Sequence, residues 1–264
     1  MSSQPKALVL NAPGINCNLE TGFAIEQAGG IADQVHITQL ESGDKRLDDY
    51  QMLVLSGGFS HGDDIASGRI LGLELRQRLP EELNTFVAAG KAVLGICNGF
   101  QVLVESGLLP YGRIDDFEDK SPGTSLTTNA TKNFDCRWGK LFIPPSVCQF
   151  IPDSWESSVV ELPSAHAEGH FRHDYLDELQ ENGQIVFQYC DEAGLPTTDF
   201  PANPNGSVAG ITGICDASGV VLGMMPHPER AVSPWQHPNW RRGEGQNPFG
   251  VVLFNGLVDY ASEL

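Results

Sequence analysis

The sequence predicts an α/β fold, a mostly parallel central sheet flanked by helices, and three observations carry that prediction. Short apolar runs closed by Gly or Pro recur at ALVLNA (7–12), QMLVLSGG (51–58) and AVLGIC (92–97), as expected for strands buried on both faces of a parallel sheet. Helical periods alternate with these runs. The third run ends in G-x-C-x-G and passes at once into a helical pattern, the arrangement of a nucleophile elbow.

After the first run, NLETGFAIEQAGG (18–30) offers Asn18 as a cap, Glu20 two places on, apolar positions 23–25 and a glycine stop, which predicts a helix. Residues 71–88 predict a second amphipathic helix, with Leu71, Leu73, Leu75, Leu79, Leu83, Phe86 and Val87, interrupted at Pro80. Beyond residue 110 the texture changes. The stretch 111–210 is rich in turn residues without a long helical period and reads as strands and loops, including IVFQYC (185–190). GITGICD (210–216) and GVVLGMM (219–225) read as two strands joined by a hairpin through Asp216-Ala217-Ser218-Gly219. The tail NPFGVVLFNGLVDYASEL reads as a closing helix with Phe249, Val252, Leu253 and Leu257 along one side. No repeat or low-complexity linker divides the chain, so one domain over 1–264 is expected.

Sixteen Lys plus Arg against 34 Asp plus Glu give a net charge of -18, which opposes binding to nucleic-acid phosphates or anionic lipid. No apolar window approaches the length of a membrane span and the start has no signal-peptide core, so a cytoplasmic protein is expected. Six scattered cysteines without CxxC pairs suggest reduced thiols rather than disulfides or a zinc ribbon.

Three stretches carry chemistry. Cys97 would stand at a helix N-terminus, where free N–H groups and the helix dipole favour thiolate, with Gly95 and Gly99 leaving room for it; a packed core cysteine is the plain alternative. GMMPHPERAV (223–232) places His227 between two prolines with Glu229 two residues on, so that a base and its orienter project from one stiff segment. Together these make a Cys-His-acid set for covalent acyl chemistry. LVLSGGFSHGDD (53–64) runs a strand into paired glycines whose amides have the close approach needed for an oxyanion hole. HAEGHFRH (166–173) would put His166, Glu168 and His170 on one face of a strand, yet lacks the HExxH order, and no metal ligands are assigned.

The set GICNGFQ, GGFSHGD and PHPER resembles the class I (triad) glutamine amidotransferases, a flavodoxin-like α/β family. PGINCN, AHAEGHF (165–171), NPNGSVAGITGICD (203–216), MMPHPERA and FGVVLFNG narrow the resemblance to the glutaminase subunits of phosphoribosylformylglycinamidine synthase in purine (IMP) biosynthesis. The likeness spans most of the chain and is weakest over 112–163, where an insertion is expected; His170 stands where the family has Arg and Ala167 where it has Gly. The resemblance implies Cys97 as nucleophile, His227 as base, Glu229 as orienter, backbone amides of Gly58 and Asn98 as oxyanion hole and Gln101 as a substrate-holding residue. It also implies a glutamyl thioester, ammonia passed to a large ATP-dependent synthase subunit, and a small accessory subunit as a further partner. L-Glutamine is the substrate so implied. No cofactor is expected in this chain, which has no G-x-x-x-x-G-K-[ST] loop, whereas ATP and Mg belong to the partner. A cysteine peptidase or hydrolase of a related α/β fold and a non-catalytic regulatory subunit are the alternatives.

Overall fold

The computed structural model describes residues 4–115 and 123–264. Strand β1 (Lys6–Asn11) is followed by α1 (Asn18–Gln27), β2 (Ile31–His36), α2 (Ile37–Glu41) and β3 (Met52–Leu55). Helices α3 (Arg69–Arg78) and α4 (Pro80–Ala88) lead to β4 (Ala92–Ile96), then α5 (Asn98–Ser106) and the short α6 (Leu108–Tyr111). The middle of the chain holds β5 (Thr124–Thr127), β6 (Asp135–Phe142), β7 (Val159–His166), β8 (His170–His173), α7 (Leu176–Glu181) and β9 (Ile185–Tyr189). The chain ends with β10 (Ile211–Cys215), β11 (Val221–Met224) and α8 (Phe249–Ser262).

The main sheet runs in the order β2-β1-β3-β4-β11-β10-β9-β6-β7, and β5 pairs with β8 apart from it. Strands β2, β1, β3, β4 and β11 are parallel, forming the expected parallel sheet; β10, β9, β6 and β7 extend it with antiparallel pairs. Every residue of β3, β4 and β11 is buried, which explains why their sequences are unbroken apolar runs. The hairpin at Asp216–Gly219 forms as read, closed by Gly219 N donating to Asp216 O (3.0 Å) with Gly219 at a φ of 76°.

Several local expectations are corrected. Asn18 does not cap α1; Cys17 takes that place without a side-chain bond, because the Asn18 amide donates instead to Gln34 Oε1 (3.1 Å). Phe23 and Leu73, named among the apolar positions of the two predicted helices, are exposed. Strand β2 was hidden because IADQVH is an edge strand with only Val35 fully buried, so it lacks an apolar run. The segment 111–210 includes a six-residue helix, α7, and residues 116–122 of it lie outside the described residues. His166, Glu168 and His170 do not share a strand face, since the chain turns between β7 and β8 at 167–169.

Two glycines set the spacing beneath the elbow. A Cβ on Gly99 would sit 1.9 Å from Leu55 O, and one on Gly95 would meet Leu103 Cδ1 at 2.5 Å, so α5 lies against β3 and β4 as closely as backbones allow. Gly99→Ala should therefore cost about 3 kcal/mol by overpacking and lower the melting temperature by roughly 6–12 °C, measured by calorimetry.

Candidate active site

Cys97 and His227 are 130 positions apart, yet the sheet brings them together. β4 and β11 are parallel neighbours, with Ile96 paired to Met224, so the residues leaving their carboxyl ends emerge side by side. Cys97 N donates to Met224 O (2.7 Å), tying the elbow to the strand that delivers His227. Cys97 has φ 51° and ψ -106°, a left-handed conformation that a non-glycine residue holds only when its surroundings force it. It stands at the N-cap of α5 and is 6% exposed.

β7 closes the site from the other side. His227 N donates to Pro163 O (2.7 Å) and the Cys97 thiol to Ala165 O (3.6 Å), so two alternate carbonyls of one strand hold both residues. His227 Nδ1 is 2.5 Å from Glu229 Oε1, and both side chains are buried. Burial alone would push this imidazole down, but the Glu229 carboxylate, then the thiols of Cys97 and Cys17, outweigh it and hold the imidazolium well above the ordinary histidine range. His227 Nε2 finds no hydrogen-bond partner among the described residues, leaving one ring nitrogen available to a ligand.

The glycine turn after β3 borders the same centre. Gly58 has a φ of 150°, open only to glycine, and among the described residues neither its amide nor that of Asn98 is bonded. A Cβ on Gly57 would lie 2.8 Å from His227 Cε1, so this backbone touches the imidazole. The Asn98 side chain accepts from Ser60 N (3.1 Å) and donates to Asp63 Oδ1 (3.2 Å) and Gln101 Oε1 (3.0 Å). Gln101 Nε2 donates to Glu168 O (2.6 Å), and Ser67 N to Glu168 Oε2 (3.0 Å). The turn, the elbow helix and the β7–β8 turn are thus one network. Asp63, in it, is raised by burial, with Glu168 adding to the shift.

His166 follows Ala165 and was read only as a member of a histidine cluster. Its Nδ1 faces Asn129 Oδ1 (3.2 Å); Asn129 gives its own N–H groups to Asn133 O and His166 O (2.9 Å each), so the proton between the pair belongs to His166 Nδ1. Nε2 is then a buried lone pair without a partner among the described residues. Burial pulls this imidazole down to about 4; the Asp135 carboxylate opposes the shift, and the charges of His227 and Arg137 add to it.

All six sequence-assigned residues, Cys97, His227, Glu229, Gly58, Asn98 and Gln101, fall in this one region. Reading the sequence missed Cys17, whose Sγ groups closely with His227 and Glu229, and Arg230, whose Nη2 lies 3.0 Å from that sulfur. That grouping is the one set among the described residues with a spacing suited to a metal ion. The imidazolium of His227 and the guanidinium on the Cys17 sulfur already place two positive charges there, which disfavours a dication.

Residues 4–261 match the family described as the CobB/CobQ-like glutamine amidotransferase domain. The chain belongs to that family. The phosphoribosylformylglycinamidine synthase subunit PurQ of Methanococcus maripaludis is 41% identical over 271 residues, 97% of each chain. The protein of the same name from Archaeoglobus fulgidus is 40% identical, covering 98% of each. A chain in the structure of PurLQS from Thermotoga maritima is similar with a TM-score of 0.74 at 28% identity, over 98% of this chain and 99% of that one. A glutamine amidotransferase from Thermotoga maritima shares the fold at a TM-score of 0.59 and 13% identity, over 99% and 100%. The expected amidotransferase fold is the fold this chain has.

The depressed His166 gives the amidotransferase a pH signature. The unfolded chain takes up this proton near pH 6.5 and the folded chain refuses it until about pH 4. The stability it contributes is therefore complete above pH 6.5 and lost as pH falls toward 4, a drop of roughly 3 kcal/mol at 1.36 kcal/mol per unit. Denaturant titrations at pH 7, 5.5 and 4 should show His166→Gln losing less stability over this interval than the parent chain.

Proposed function

We propose that this chain is the glutaminase subunit of a phosphoribosylformylglycinamidine synthase, one amidotransferase domain that hydrolyses L-glutamine and supplies ammonia to a separate ATP-dependent subunit. The observation that carries this reading is a thiol at a strained strand-to-helix turn, next to a buried His–Glu pair. The names of the full-length relatives agree with it.

In this reading the Cys97 sulfur attacks the side-chain amide carbon of glutamine, and the carbonyl electrons move onto oxygen, where the amides of Gly58 and Asn98 receive them. The C–N bond then breaks as His227 gives its proton to the nitrogen, releasing ammonia and leaving a glutamyl thioester. Water loses a proton to His227, adds to the thioester carbon and expels the thiolate, which yields glutamate. An imidazolium held high by Glu229 suits the first proton transfer. Gln101, locked between Asn98 and Glu168, holds the substrate end of the site. Removing one oxyanion donor typically costs on the order of 3 kcal/mol of transition-state stabilisation.

The acceptor chemistry, ATP and Mg belong to the partner, with a small accessory subunit completing a cytoplasmic complex. Among the described residues no helix is long and apolar enough to cross a membrane.

Cys97→Ala should fold normally and bind glutamine but release no ammonia, while the complex it forms still makes amidine from added ammonium salt. Ammonia release from glutamine near the parent rate would overturn the nucleophile assignment. Selective labelling of Cys97 by a glutamine-analogue electrophile distinguishes this reading from a peptidase and from a non-catalytic subunit. Co-purification with a large ATP-using subunit, and weak glutaminase activity without it, are the expected results for the partner; full activity alone and no partner would count against it.

A further inference from the structure

Cys17 has no part in the chemistry above, yet it touches two of its components. It lies at the N-cap of α1 and is 1% exposed. Its backbone grips the oxyanion turn. Cys17 N and Asn16 N both donate to Gly57 O (3.1 and 3.3 Å), and Phe59 N donates to Gly14 O (2.9 Å), so the loop before α1 brackets Gly57 and Gly58.

The sulfur faces the acid of the triad. Its S–H donates to Asn16 Oδ1 (3.2 Å) and it accepts from Arg230 Nη2 (3.0 Å). A Cβ on Gly57 would lie 3.2 Å from this sulfur and 2.8 Å from His227 Cε1, so sulfur and imidazole share the gap beside a residue that must be glycine. Arg230 also stands 3.6 Å from Glu20 Oε1, while its Nε is 3.9 Å from Glu229 Oε1, the oxygen that binds His227 Nδ1.

Those distances describe a competition. A guanidinium free to turn would close a two-pronged pair with Glu229, among the strongest contacts a carboxylate makes, and would draw Oε1 from the imidazole. In the structure it does not, because its far nitrogen is seated on sulfur and its charge is shared with Glu20.

We propose that Cys17 is a positioning residue, whose sulfur holds Arg230 back from Glu229 while its amide fixes Gly57, so that one residue sets both the imidazole and the oxyanion turn. The inference rests on the glutaminase reading. Alanine leaves the amide bond to Gly57 but removes the seat for Arg230; serine keeps a small polar acceptor there.

The test uses the full chain in complex with its synthase, measuring ammonia released from glutamine. Cys17→Ala should lower kcat roughly 10- to 100-fold with little change in KM, as expected when a remote change displaces a reacting group, and Cys17→Ser should recover most of it. Arg230→Gln removes the competitor itself. In the double variant Cys17→Ala/Arg230→Gln, the loss should therefore be no greater than with Arg230→Gln alone, since the two residues act through one contact. Unchanged kcat in Cys17→Ala, or fully additive losses, overturns the proposal. If Cys17→Ala does not fold, Cys17→Val, which also removes the seat for Arg230, is compared with Cys17→Val/Arg230→Gln, and an unchanged kcat or additive losses again overturn it. Failure of the underlying reading looks different: the parent complex itself would release no ammonia from glutamine.

Discussion

The candidate site depends on one pairing, the parallel contact of β4 with β11. Both strands are buried throughout, and their register puts Ile96 beside Met224, so two chain ends leave the same edge of the sheet together. The bond from Cys97 N to Met224 O is the last rung of that contact and the first constraint on the elbow. A non-glycine residue at φ 51° costs energy, of order 1–3 kcal/mol. The conformation persists because the strand before it and the helix after it are both anchored, with Gly95 and Gly99 removing the side chains that would hold them apart.

The same constraint separates two buried histidines by charge. His227 and His166 sit on segments held together by β7, yet burial lowers one and a carboxylate raises the other. The difference lies in what faces Nδ1. For His227 it is the Glu229 carboxylate; for His166 it is the neutral oxygen of Asn129. Two imidazolium ions so placed would repel one another, and the neutrality of His166 spares His227 that repulsion.

The parts of this arrangement legible in the sequence were those encoded within a few residues. G-x-C-x-G specifies its own turn, the prolines around His227 stiffen their own segment, and ALVL, MLVL and AVLGI announce buried strands by composition. The antiparallel half was harder to read. β6 and β7 pair over eight residues, but DCRWGKLF and VVELPSAH mix exposed and buried positions and signal only weakly which strand each meets. Cys17 and Arg230 were invisible as a pair for a related reason. One sits before α1 and the other after β11, and nothing short of the folded sheet places a sulfur 3.0 Å from that guanidinium.

The bonds around Asn98 and Glu168 explain why the glycine turn after β3 can be rigid without being part of a strand. Residues 61, 63 and 65 all take positive φ although none is glycine, a conformation the chain would not hold alone. Asn98 ties this turn to the elbow helix, and Glu168 ties it to the β7–β8 turn. The backbone amides that border Cys97 are therefore positioned from three directions: by the loop before α1, by the elbow helix and by β7 and its turn. Each of the three is joined to the turn by hydrogen bonds of its own. This convergence gives the turn its rigidity from segments remote in sequence.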